Sequence, residues 1–187
     1  MNEKRLFIAI KVPENPLIVG LSDNLKTCLA KDKINWVKTS NLHLTFKFLG
    51  NTSVSKIPEI LSAIEETTKL YEKFTASIDE IGIFGSKYNP KVIWVKANPE
   101  KRFNQIFETL SQHLSQIGIS KTSENFVPHV TLARIKHIQD VKYFQSCISK
   151  YKHSISFDFL VENMILFESR LTPKGAEYSV VNKLEFI

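Results

Sequence analysis

One short phrase occurs twice in this chain, as His43-Leu44-Thr45-Phe46 and as His129-Val130-Thr131-Leu132. In an extended strand successive side chains alternate faces, so a histidine and a threonine two residues apart project to the same side. The residue between them, Leu44 or Val130, then points the other way, where an apolar group needs a core. A chain that carries this pattern twice is constrained to build two half-buried strands. If those strands face one another, two imidazoles and two hydroxyls surround one cleft.

The rest of the chain supplies supports for such strands. Leu6-Phe7-Ile8-Ala9-Ile10 is a continuous apolar run closed by Val12-Pro13 and reads as a central strand. Apolar residues at helical spacing from Pro16 predict a helix ending near Lys31, and Ile34-Asn35-Trp36-Val37 reads as a short strand. The first motif strand spans Leu42 to Leu49, with Gly50-Asn51 expected to stop it. Ser53 or Ser55 is expected to cap a second helix, with Ile57, Ile60, Leu61, Ile64 and Leu70 on its buried face. A hairpin follows, Phe74–Phe84 and Lys91–Lys96 around a Tyr88-Asn89-Pro90 turn.

The spacing then predicts a third helix over Glu100–Ile117, stopped by Gly118, and a polar loop over Lys121–Asn125. The second motif strand runs His129–Ile135, and Asp140 is placed to cap a fourth helix ending near Tyr151. Three closing strands are expected, with Pro173-Lys174-Gly175 as the last turn. Each motif strand is thus followed by a helix, which suggests a duplication. The expected fold is α+β and bilobal: two pseudo-symmetric lobes, each with a mostly antiparallel sheet flanked by helices, and a cleft between them. No linker or low-complexity stretch divides residues 1–187, so one domain is expected.

Composition narrows the partners. A formal net charge of +6 favours an anionic partner such as a nucleic acid or nucleotide. The lysines are scattered, so most read as solvated faces and some as an RNA track. Cys28 and Cys147 lie far apart with no metal-ligand spacing, and read as two reduced thiols in a cytosolic setting. The apolar run ending at Ile10 is too short for a signal segment, and no run approaches the length of a membrane span. A soluble, cytoplasmic monomer with no membrane partner is the expectation.

Two imidazoles on one cleft suit paired general acid–base chemistry, because each titrates near neutral pH. Two hydroxyls beside them can donate to the oxygens of a phosphate, where charge builds in the transition state. Neither motif contains Asp or Glu, so a phosphate is a better guest than a divalent metal, and no metal or cofactor is expected. Taken singly, each motif reads as ordinary strand packing; the matched pair points to a site. His113, His137 and His153 lack such partners and read as surface or structural. Phe48, Trp36, Trp94 and Tyr88 are candidates to stack a base. Arg134, five residues past His129, falls on the wrong face of a regular strand and reaches the cleft only through a bulge or a strand end.

The stretches Asn41-Leu42-His43-Leu44-Thr45-Phe46-Lys47-Phe48-Leu49-Gly50 and Pro128-His129-Val130-Thr131-Leu132-Ala133-Arg134 resemble the signature strands of the two-histidine phosphoesterases. More narrowly they resemble the bacterial and archaeal RNA 2′,3′-cyclic phosphodiesterases, also called LigT or 2′-5′ RNA ligase-like proteins. Arg5–Ile10, Lys91–Val95, Leu166–Leu171 and Gly175–Tyr178 are similar to further strands of that family, so the resemblance runs nearly end to end. It implies metal-independent hydrolysis of an RNA 2′,3′-cyclic phosphate end, or of a related nucleotide, to a 2′-phosphate. By position it makes His43 the general acid and His129 the general base, with Thr45 and Thr131 holding phosphate oxygens. Arg134 and Phe48 follow as phosphate and base contacts, and 2′-5′ RNA ligation as the reverse reaction. A relative acting on another small cyclic or 2′-5′ phosphoester, or a non-catalytic nucleotide-binding module, would share these strands.

Overall fold

The structure is a computed structural model that describes residues 2–120, 125–173 and 175–187. All but Asn125 of the expected polar loop, and Lys174 of the last turn, lie outside the described residues.

Strand β1 (Glu3–Lys11) leads into helix α1 (Pro16–Cys28), where Pro16 sits in the first turn and the Asn15 side chain accepts the Leu17 N–H at 2.9 Å. Both features fit a helix start, since proline lacks an N–H that would go unsatisfied there and the amide oxygen caps one that would. There follow β2 (Lys33–Trp36), β3 (His43–Ser53), α2 (Ile57–Thr68), β4 (Phe74–Ser86) and β5 (Asn89–Asn98). Helix α3 (Glu100–Gln116), β6 (His129–His137), α4 (Val141–Tyr151), β7 (Phe157–Val161), β8 (Asn163–Thr172) and β9 (Gly175–Glu185) complete the chain. Asp140 caps α4 as expected, accepting the N–H groups of Lys142 and Tyr143 at 2.9 and 3.0 Å.

The strands form one antiparallel sheet in the order β7-β4-β5-β6-β3-β1-β8-β9, with β2 added on β6. Its narrowest seam lies between the two motif strands, which meet at a single residue pair, Leu44 opposite Val130. The sheet is therefore two halves, β3-β1-β8-β9 and β6-β5-β4-β7, hinged on the middle residues of the two motifs. Chain order repeats across the hinge, β1-α1-…-β3-α2 on one side and β5-α3-β6-α4 on the other. Helix α1 packs on α4 and α2 on α3. Beneath them one apolar core runs through both halves, taking Leu6, Ile8, Leu44, Ile64, Val95, Leu110, Val130 and Phe144. The expected antiparallel α+β fold is observed, with the two expected sheets joined into one through the Leu44–Val130 pair.

Several local expectations are corrected. Gly50 does not end the first motif strand. The register slips between Leu6/Phe7 and leaves Leu49 unpaired, and Gly50 at φ 68° carries the chain on to Ser53 as a bulge. Neither Ser53 nor Ser55 caps α2. Their hydroxyls bond one another at 2.8 Å, and a 3-10 turn over Val54–Lys56 feeds the helix instead. Leu70, expected on the buried face of α2, lies beyond the helix end and is 63% exposed. The β4–β5 turn is Lys87-Tyr88, one step earlier than expected, so Asn89 and Pro90 belong to β5.

The cysteines are not free thiols. Cys28, the last residue of α1, is bonded to Cys147 of α4 with their Cα atoms 6.4 Å apart. Nothing in the sequence brought residues 119 positions apart together; the packing of α1 on α4 does. The support that reduced thiols lent to a cytosolic setting goes with them. No helix among the described residues is long and apolar enough to cross a membrane.

Candidate active site

The antiparallel pairing of Leu44 with Val130 places His43-Leu44-Thr45 against Thr131-Val130-His129. His43 and Thr45 share one face with His129 and Thr131, while Leu44 and Val130, both fully buried, point into the core. The register sets each histidine beside the threonine of the other motif, with the two imidazoles on a diagonal. All four side chains line one cleft of about 1180 Å³.

Immediately after each threonine the strand bulges. Along β3 the partners of β1 pass from Thr45 to Lys47, leaving Phe46 as the extra residue. Along β6 the partners of β5 pass from Thr131 to Ala133, leaving Leu132 as the extra residue. An extra residue reverses the alternation beyond it. The fifth residue after each histidine, Phe48 on one strand and Arg134 on the other, is thereby turned onto the cleft face. Both line the cleft. The bulge that Arg134 required is present, and its twin does the same for Phe48, which is 62% exposed.

Each imidazole sits among aromatic rings. His43 lies 5.0 Å from Phe7 and edge-on to Tyr178 at 5.2 Å; His129 lies edge-on to Phe84 at 4.7 Å and 6.0 Å from Trp94. In each case Nδ1 faces the carbonyl oxygen two residues earlier, Asn41 O at 2.6 Å from His43 and Val127 O at 2.7 Å from His129. A carbonyl only accepts, so Nδ1 carries the proton and Nε2 is left for the cleft, as lone pair or as N–H. Burial pushes both imidazoles below their ordinary range. The carbonyl bonds oppose that shift, and the Arg134 guanidinium reinforces it.

Around this centre the described residues present Arg5, Lys47 and Arg134 to the cleft and no carboxylate. Lys47 donates to Ser120 O at 2.7 Å. The hydroxyls of Thr45 and Thr131 have no hydrogen-bond partner among the described residues. No group of three or more His, Cys, Asp or Glu among the described residues is arranged to hold a metal ion. The arrangement is a cation-lined pocket with two bases and two free hydroxyl donors, which suits an anion at the centre.

Other sequence candidates fall elsewhere. His113 Nδ1 meets Thr67 Oγ1 at 2.9 Å, a structural contact, and His137 and His153 are exposed. Trp36 packs on the core and Tyr88 stands 72% exposed at a hairpin tip, so neither borders the cleft. Trp94 packs against His129 instead of offering a face to the cleft. The aromatic neighbours Phe7, Phe84 and Tyr178 went unrecognised in the sequence. Phe7 read as core, and only its register opposite Phe48 shows that it faces the cleft.

Residues 25–172 match the profile of the 2′-5′ RNA ligase superfamily. The chain belongs to that superfamily. Among its curated relatives, a Methanocaldococcus jannaschii protein named RNA 2′,3′-cyclic phosphodiesterase is 33% identical over 96% of this chain and 99% of the relative. A Thermotoga maritima protein of the same name is 32% identical over 97% and 95%. A crystal structure from Thermus thermophilus superposes with a TM-score of 0.75 at 26% identity, covering 97% of both chains. Escherichia coli LigT in complex with 3′-AMP shares the fold, with a TM-score of 0.74 at 20% identity over 99% of both.

Proposed function

We propose that this superfamily member hydrolyses the 2′,3′-cyclic phosphate end of RNA to a 2′-phosphate without a metal ion. The observation that carries the proposal is the pair of imidazoles, each with Nδ1 tied to a carbonyl and Nε2 left for one cleft to which the described residues bring cations and no carboxylate. The shared name of relatives that match nearly the whole chain supports the substrate.

In this reading the cyclic phosphate sits between the motifs, its non-bridging oxygens accepting from Thr45 and Thr131 and facing Arg134. His129 Nε2 takes a proton from water as the oxygen attacks phosphorus. Charge gathering on the phosphate is met by the two hydroxyls and the guanidinium. His43 Nε2–H gives its proton to the 3′ oxygen as the P–O3′ bond breaks, leaving the phosphate on the 2′ oxygen. Phe48 offers a face to the terminal base. A 5′-hydroxyl in place of water gives a 2′-5′ bond by the same transfers. The cleft is lined by one chain, so a monomer suffices.

The test is turnover of a short RNA ending in a 2′,3′-cyclic phosphate, with EDTA present. The expected result is formation of the 2′-phosphate alone, with His43→Ala and His129→Ala each slower by about 100-fold or more. Loss of activity in EDTA overturns the metal-free reading. RNA binding without turnover overturns catalysis in favour of a binding module.

A further inference from the structure

The cleft continues past the phosphate site along β1 and ends at Arg5. Its far wall is Gly50, Ser169 and Leu171, and among the described residues no Asp or Glu contributes to it. Arg5 stands four residues, about 13 Å at strand rise, from Ala9, the partner of Thr45. Between them lie Phe7 and Phe48, ring centroids 6.0 Å apart. Along one wall the order is therefore phosphate site, aromatic platform, guanidinium.

The charges around Arg5 are distributed unevenly. Lys4, its neighbour on the opposite face, is neutralised by Glu168 at 2.7 Å, and Glu168 is held in turn by Arg170 at 3.1 Å. These two cations hold the Glu168 carboxyl below the usual carboxylate range. Arg5 itself forms no ion pair among the described residues, and Glu3, two positions along the same face, does not pair with it. A cyclic phosphodiester carries one negative charge, and Arg134 already faces it. A second unpaired guanidinium, one nucleoside's length away, has no task in binding a lone cyclic phosphate.

We propose that Arg5 anchors a second phosphate subsite, which takes the 5′-phosphoryl group of the nucleotide whose cyclic end is cleaved. The inference rests on the cyclic phosphodiesterase reading and adds to it a second recognised group of the RNA end, the 5′ phosphate of the terminal nucleotide, which a bare nucleoside 2′,3′-cyclic phosphate lacks. The terminal base lies on Phe48, and the planar guanidinium fork meets two oxygens of the 5′ phosphate. That phosphate belongs to an internucleotide linkage or to a free 5′-monophosphate; the chemistry at Arg5 is the same.

The test compares three substrates: a nucleoside 2′,3′-cyclic phosphate, its 5′-phosphorylated form, and a dinucleotide with the same cyclic end. Wild type is expected to favour one or both of the phosphorylated substrates over the plain one by about 10-fold or more in kcat/KM, mostly through KM, the range of a charge-assisted contact. An advantage confined to the dinucleotide assigns the subsite to an internucleotide linkage. An advantage for the 5′-monophosphate alone assigns it to a free end. In Arg5→Ala the advantage is expected to collapse toward parity, and because the ratio is taken within each variant, any general loss cancels. Equal kcat/KM for all three substrates in wild type overturns the subsite, as does an advantage that survives in Arg5→Ala. If wild type turns over none of them, the phosphodiesterase reading falls first and the subsite with it.

Discussion

Gly82 stands directly opposite Trp94 in the β4–β5 ladder, and the indole lies across it. A Cβ built on Gly82 would overlap Cζ2, Cη2 and Cε2 of that ring. The φ of Gly82 is not positive, so alanine meets no backbone penalty there and the cost is steric. The indole has little room to yield. It is stacked on Phe84 at 4.9 Å, and both rings abut His129. Its Nε1 is buried without a partner, so packing alone fixes its position. Gly82→Ala is therefore expected to push the indole toward His129. Overpacking of this kind costs about 1–3 kcal/mol, which for a chain of this size lowers Tm by roughly 2–12 °C. A shift of about 1 Å at a catalytic group costs up to about 100-fold, so kcat on an RNA cyclic phosphate should fall by about 10–100-fold. KM should change little, because the threonines and Arg134 are untouched. Adding Trp94→Phe, whose smaller ring vacates the contested space, should restore part of the loss, and a double-mutant cycle measures the coupling. A Gly82→Ala protein with wild-type kcat and Tm would refute the reasoning.

Two further perturbations follow from the same geometry. Because both imidazoles are held below their ordinary pKa of 6.5, and the proposed mechanism needs one protonated and the other neutral, kcat/KM should trace a bell with its maximum below about pH 6.5. Arg134→Gln removes a cation that lowers both, so the bell should move to higher pH; a wild-type maximum above pH 7 would contradict the burial argument. Reduction of Cys28–Cys147 releases a constraint across 119 residues, worth about 4–5 kcal/mol in the chain-entropy account. Dithiothreitol or Cys28→Ser should then lower Tm by roughly 10 °C or more, and a melting curve indifferent to reductant would mean that the thiols are unpaired.

Much of this site is legible in sequence because it depends on local periodicity. The two-residue alternation of His and Thr around Leu44 and Val130 survives into the structure unchanged, and Asp140, Pro16 and Gly118 mark helix ends by chemistry that acts within a few residues. Features that depend on pairing between distant strands were not legible. A bulge is a difference in count between two strands, so the extra residues Phe46 and Leu132 are visible only once β1 and β5 are in register beside them. Gly50 read as a stop because a glycine with positive φ serves a strand end and a bulge equally well. The Cys28–Cys147 bond and the rings around each imidazole are likewise products of packing between elements far apart in the chain.

The near two-fold arrangement of His43, Thr45, His129 and Thr131 does not by itself say which histidine is the acid. Each ring has a backbone carbonyl two residues earlier as its partner at Nδ1, Asn41 O for His43 and Val127 O for His129, and burial lowers both. Burial favours the neutral form of both rings, and in the proposed complex, with a phosphate between them, the two would titrate as a pair. Asymmetry enters through the residues that follow. Phe48, Phe7 and Arg5 all belong to the β3–β1 half, so a nucleoside stacked on Phe48 lies on the His43 side of the phosphate. In an in-line displacement the leaving oxygen stays with that nucleoside and water arrives from the far side, beside His129. In the proposed reaction it is therefore the position of the aromatic platform in the sheet, on the β3–β1 half, that assigns the acid to His43 and the base to His129.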